Sequence, residues 1–115
     1  MTLQFPFPVY GRVTNGLGLP IDNEVNVWFY DTRPGFAPIK TKCDSNGYYQ
    51  ANIQSKIQNY GMDCHIKVFY YNPTSPTVER HHYFTVNKAD KVKEVNFRIS
   101  EKYHITDSSS VSIEV

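Results

Sequence analysis

Apolar and polar residues alternate with a period of two along most of this chain, which is the pattern of strands that turn one face inward. Val9, Gly11 and Val13 alternate with Tyr10, Arg12 and Thr14 and predict a first strand, which Asn15-Gly16-Leu17-Gly18-Leu19-Pro20 breaks. Val25, Val27 and Phe29 alternate with Asn26, Trp28 and Tyr30 in a second strand, followed by a loop from Asp31 to Pro38. A third strand spans Ile39 to Cys43, and a fourth sets Tyr49, Ala51 and Ile53 against Tyr48, Gln50 and Asn52. Ser55 to Gly61 is polar and suits a single helical turn or an irregular crossing. Ile66, Val68 and Tyr70 alternate with Lys67, Phe69 and Tyr71 before Asn72-Pro73-Thr74-Ser75-Pro76, whose prolines predict a rigid loop. His82, Phe84 and Val86 supply a sixth strand, and Val95, Phe97 and Ile99 a seventh. Short strands at this spacing predict an all-β, seven-stranded antiparallel sandwich, with a barrel as the alternative.

One stretch decides between a turn and a metal loop. Thr41-Lys42-Cys43-Asp44-Ser45-Asn46-Gly47-Tyr48-Tyr49 places Asn-Gly between two alternating runs, the strongest short-range signal for a hairpin. A calcium loop needs oxygen ligands at alternate positions and a closing Glu, and here only Asp44, Ser45 and Asn46 precede the aromatic pair. The turn reading is therefore taken, with Gly11, Gly18, Pro20, Asp44, Asn46 and Gly47 as structural positions.

Composition narrows the class of function. The 115 residues suffice for one domain with a modest core, and aromatic residues make up 15% of them, a strand-rich bias. Twelve Lys and Arg against eleven Asp and Glu give a net charge of +1, so no basic surface for nucleic acid is expected. The start has neither a basic nor an apolar leader region, and no run approaches the ~20 apolar residues that span a bilayer. The expectation is cytoplasmic synthesis, no membrane insertion, and entry into a virion or another assembly. Cys43 and Cys64 lack zinc spacing and are read as reduced, half-buried thiols, with a disulfide as the alternative.

The ordered series Val9-x-Gly11-x-Val13, Gly18-Leu19-Pro20-Ile21, Val25-Asn26-Val27 and Thr41-x-x-Asp44-Ser45-Asn46-Gly47-x-Tyr49 resembles the carboxypeptidase regulatory-like, or prealbumin-like (transthyretin-like), β-sandwich domains. The resemblance covers the first half, weakens through Ile66–Tyr71 and fades after Pro73. It implies an Ig-like sandwich that serves as a non-catalytic accessory, adhesion or assembly module. Independently of that family, Gly11 is expected to let the opposing sheet approach, and Tyr49 to bury a large ring.

Catalytic relatives of the same shape fit poorly. Transthyretin-like hydrolases carry a first-strand histidine and a closing Tyr-Arg-Gly-Ser, whereas this chain has Tyr10 and Arg12 and ends Ser-Ile-Glu-Val. Intradiol dioxygenases hold iron through two tyrosines and two histidines. This chain has His81, His82, Tyr83 and His104, but those enzymes are much longer, and His81 and His82 alternate across a strand, so only one of them faces any given site. No nucleophile elbow, Cys–His pair or carboxylate pair is evident.

If Val25, Val27 and Phe29 face inward, Trp28 and Tyr30 face out, as do Phe69 and Tyr71, while Tyr48 points away from Tyr49. These rings are the candidate interaction surface. Val111, Ile113 and Val115 alternate with Ser112 and Glu114 and form a candidate added strand on the tail 101–115, able to join an edge of its own sheet or a neighbour's. Residues 1–8 read as an extended arm whose Phe rings dock on another chain, and residues 9–100 as the sandwich. The expected function is a structural or protein-interaction module, a subunit of an assembly such as a virion decoration or tail component, with no cofactor. The alternative is a carbohydrate-binding module that stacks sugars on Trp28, Tyr30 and Tyr71; a small hydrolase or metalloenzyme around His81, His82 and Asp44 comes third.

Overall fold

The computed structural model describes residues 3, 5–31, 37–55, 57, 59–72, 75–100 and 111–114. Its strands are β1 (Pro8–Asn15), β2 (Asn26–Tyr30), β3 (Ile39–Lys42), β4 (Tyr48–Asn52), β5 (Asp63–Asn72), β6 (Ser75–Thr85), β7 (Lys93–Glu94), β8 (Asn96–Ile99) and β9 (Val111–Glu114), with a 3-10 turn at Ile53–Ser55. They form two sheets, one ordered β4-β1-β8-β9 with β7 also on β1, the other β3-β2-β5-β6. The protein is thus nearly all β, with two packed sheets. The expected inward sets are buried: Val9 and Val13, Val25, Val27 and Phe29, Ile66, Val68 and Tyr70, and Val95, Phe97 and Ile99.

Several expectations need correction. The first sheet is mixed rather than antiparallel, because β7 and β8 run parallel to β1. Leu3 and Phe7, expected in an arm that reaches another chain, are buried in this chain's own core; the Phe7 N–H donates to Asn52 Oδ1 and the Ile53 N–H to the Phe7 carbonyl. Phe5 alone of that segment's rings is exposed. The loop after Asn72 is shorter than expected, since Asn72 pairs with Ser75 and β6 already includes Pro76. A proline can sit there because β6 is an edge strand.

The Asn46-Gly47 turn is tight, but it joins the two sheets instead of closing a hairpin within one, since β3 pairs with β2 and β4 with β1. Asp44 Oδ1 accepts the N–H groups of Asn46 (2.9 Å) and Tyr48 (3.0 Å), an Asx turn in which the carboxylate is used up structurally. Gly47 has φ +89°, and a Cβ there would overlap the Val13 carbonyl; its own carbonyl accepts the Val13 N–H at 2.8 Å. The contact with β1 directs the chain into the first sheet. The earlier turn at Asn15–Leu19 is similar in kind, with Asn15 Oδ1 accepting from Leu17 and Leu19, Gly18 at φ +80° and Pro20 bridged to Thr14.

Gly11 serves its neighbour strands, not the opposing sheet. It lies directly across from Tyr49 on β4, and a Cβ on it would overlap the carbonyl of Val95, between β7 and β8. In an uninterrupted parallel ladder the Arg12 N–H would take that carbonyl. Instead Arg12 donates to Asn96 Oδ1 at 2.8 Å, and the freed Val95 carbonyl accepts the buried Tyr49 hydroxyl at 2.5 Å. The Tyr49 ring crosses β1 through the space that the glycine leaves.

Candidate docking face

Cross-strand register builds the outer face of the β3-β2-β5-β6 sheet in three rungs. The first is Lys42, Asn26, Phe69 and Glu79; the second is Lys40, Trp28, Lys67 and His81; the third is Tyr30, His65 and Tyr83. Alternation sends all of these side chains outward, because their neighbours Val27, Phe29, Ile66 and Val68 fill the core. Side chains directly opposite or diagonal on one face lie within reach of each other, so the rungs lock.

Trp28 meets Phe69 edge-on, with centroids 4.9 Å apart. Lys40 Nζ lies 4.4 Å from the Trp28 ring centroid, and Lys67 Nζ lies 4.9 Å from that of Phe69. Lys67 also reaches Glu79, Nζ to Oε1 3.6 Å. In the third rung His65 is stacked between tyrosines, 5.3 Å from Tyr30 and 4.2 Å from Tyr83. Diagonally, His65 Nε2 lies 2.6 Å from His81 Nδ1, and His81 Nε2 lies 2.7 Å from Glu79 Oε2. The Glu79 carboxyl is held below the usual range, chiefly by its bond from His81 and further by Lys67. Partial burial, with His81 and Lys67 close by, lowers His65.

Of the rings expected from sequence, Trp28, Tyr30, Phe69 and Tyr71 share this face. Tyr71 is 73% exposed at its rim, whereas the other three are half-buried by one another and by the lysine stems. Tyr48 is not with them: it lies on the outside of the other sheet, where Arg12 sits 5.0 Å over its ring. Backbone pairing places Val111 and Ile113 in β9, on the edge of that other sheet beside β8 in the same chain. Val115 and His104 lie outside the described residues, as do 101–110 and 32–36.

Sequence reasoning missed His65, Lys67, Glu79, His81 and Tyr83 as parts of the face. The usable signal was that each is an outward position by alternation, His65 and Lys67 on β5 beside the Trp28 strand and Glu79, His81 and Tyr83 on β6 next to it. His81 and His82 do face opposite sides: His82 pairs across from Ile66 and points inward beside Phe84 and Phe97. Asp44 accepts two turn N–H groups through Oδ1 and does not come together with His81 and His82 as a group able to hold a metal ion. Among the described residues, no three His, Cys, Asp or Glu side chains are placed to hold a metal ion.

A second feature is the open side between the edge strands β3 and β4, a cleft of about 660 Å³ lined by Tyr10, Lys42, Cys43, Tyr48 and Gln50 among others. Its thiol is unsuited to nucleophilic work, because burial, then Asp44, push Cys43 up to about 12. Cys64 is fully buried and likewise raised to about 12, by burial first and Asp31 second. Both are free thiols at opposite ends of β2: the Cys43 backbone N–H donates to the Val25 carbonyl, and Cys64 lies one place beyond the Tyr30–His65 pair. That separation is about 20 Å along the strand, far beyond disulfide reach.

No family model and no curated protein matches the chain. Among solved structures it is similar to (S)-allantoin synthase, with a TM-score of 0.54 and 12% identity over 99% of this chain and 44% of that one. It therefore spans less than half of that protein's length. A 9R-lipoxygenase from Cyanothece PCC8801 is matched at a TM-score of 0.42 and 12% identity, over 85% of this chain and 17% of that one. At this identity the first likeness speaks to the two-sheet architecture alone, and the second carries no argument.

Proposed function

We propose that this chain is a non-catalytic interaction module, an Ig-like sandwich of the prealbumin-like type, that joins a larger assembly through the outer face of its β3-β2-β5-β6 sheet. The observation that carries this is the three-rung array of rings, lysines and imidazoles on one face. Clustered half-buried aromatic rings are the material from which interface hot spots are made. The partner is a protein, and a second copy of the chain is the first to test. A sugar platform is less well supported, because stacking needs an open ring and the Lys40 ammonium already lies over Trp28.

Amide hydrogen exchange on the full chain, at low and at high protein concentration, tests the reading. Protection that grows with concentration along β2, β5 and β6 supports it. Protection confined to β4, β1 and β8 moves the interface to the other sheet and sinks it.

A further inference from the structure

Three side chains on this face form a hydrogen-bonded chain across β5 and β6: His65 Nε2 to His81 Nδ1 at 2.6 Å, and His81 Nε2 to Glu79 Oε2 at 2.7 Å. An ionised carboxylate only accepts, so His81 presents its Nε2–H to Glu79. With both rings neutral, His81 Nδ1 is bare and His65 donates to it through Nε2–H. With one added proton, His81 carries hydrogen on both nitrogens and donates to a bare His65 Nε2. Either form keeps one hydrogen between the rings. A second added proton puts an N–H on both facing nitrogens, neither can then accept, and the contact is lost.

The same His65 ring is the centre of the tyrosine stack, nearly parallel to Tyr83 (13°) and tilted by 28° from Tyr30. Parting from His81 therefore moves the middle of that stack. We propose that the His65–His81–Glu79 relay is a proton-operated catch, which holds Tyr30, His65 and Tyr83 together at neutral pH and releases them in mild acid. Its consequence for docking rests on the reading of this face given above; the catch itself does not.

The charged and titratable groups facing the pair are Lys67 and Asp63 on β5, Glu79 and Tyr83 on β6, Tyr30 on β2 and Lys40 on β3. Lys67 shares Glu79 with His81 and disfavours a further positive charge nearby. Asp63 is engaged by the Thr85 hydroxyl at 2.6 Å, and Lys40 lies over Trp28. Burial, His81 and Lys67 all lower His65, so the second proton enters below the ordinary histidine range.

The test is nitrogen NMR on the full chain with ¹⁵N-labelled histidine, titrated from about pH 8 to pH 5 across the imidazole range. The expected result is a scalar coupling across the hydrogen bond between His65 Nε2 and His81 Nδ1 at neutral pH. It disappears in the same acid window in which the Tyr30 and Tyr83 ring resonances move. In His81→Gln the like charge is gone, and the His65 midpoint rises, while burial and Lys67 still hold it below the ordinary range. Glu79→Gln keeps an acceptor for the His81 Nε2–H, so the coupling persists. Absence of the coupling at neutral pH, or a His65 midpoint that stays put in His81→Gln, overturns the catch. None of these readouts involves a partner, so the catch and the docking face fail separately.

Discussion

Tyr49→Phe removes one hydroxyl and nothing else, and the structure says what that hydroxyl does. It donates to the Val95 carbonyl at 2.5 Å in a buried site, where the Arg12 N–H that would normally serve that carbonyl has been taken by Asn96. Leaving a buried carbonyl without its donor costs about 1–3 kcal/mol. For a chain of 115 residues, an unfolding entropy of about 2 cal/mol/K per residue converts each kcal/mol into roughly 4 °C of midpoint. The melting temperature should therefore fall by about 4–12 °C, read by calorimetry or near-ultraviolet dichroism. Asn96→Ala should cost about 0.5–1.5 kcal/mol alone. The two changes should couple by more than about 0.5 kcal/mol in a double-mutant cycle, because both act on the same turned peptide. A Tyr49→Phe protein that melts with the parent, or strictly additive losses, would refute the account of the Gly11–Tyr49–Val95 crossing.

Three further outcomes are expected. Asp44→Ala strips the acceptor from two backbone N–H groups and should cost about 1–2 kcal/mol, and Gly47→Ala should cost more, since it adds left-handed strain to an overlap with Val13; denaturant melts measure both. His65 is lowered mainly by burial, and His82 by burial and Lys93, so the unfolded chain binds their protons more readily. Stability should then be full above about pH 6.5 and fall as pH drops towards their folded midpoints; the Glu79 contribution persists to lower pH and is lost below the ordinary carboxylate value. Equal unfolding midpoints at neutral pH and in mild acid would contradict that sign. Both thiols should react slowly with a disulfide reagent in the native state, Cys64 slowest, and readily once unfolded; rapid native labelling of Cys64 would place it outside the core.

How much of this was legible in the sequence depended on whether local pattern or distant pairing decided each feature. The inward sets of β1, β2, β5 and β8 follow from alternation alone, and so does the outward direction of Trp28 and Phe69. Alternation does not say which strands pair, so the parallel run of β8 along β1 and the passage from β3 to a different sheet went unread. Gly11 and Tyr49 were both singled out, but their direct opposition depends on the β1–β4 register. The histidine pair is the sharpest case. Counting back from Asn72–Ser75 without interruption sets His65 opposite His82; the irregularity between Tyr70 and Asn72 shifts the pairing by one residue and sets it opposite Tyr83. One residue of register flips a face, so the bulge is what sets His81, Glu79 and Tyr83, already outward by alternation on β6, opposite the outward residues of β5.

Light scattering after size exclusion, comparing the full chain with Tyr30→Ser/Phe69→Ser and with Tyr48→Ser as a control on the other sheet, tests the central claim most directly. The account predicts a defined oligomer for the parent and the control, and a folded monomer for the double variant. A parent that stays monomeric at every concentration, or an oligomer that the double variant leaves intact, would contradict self-assembly through this face.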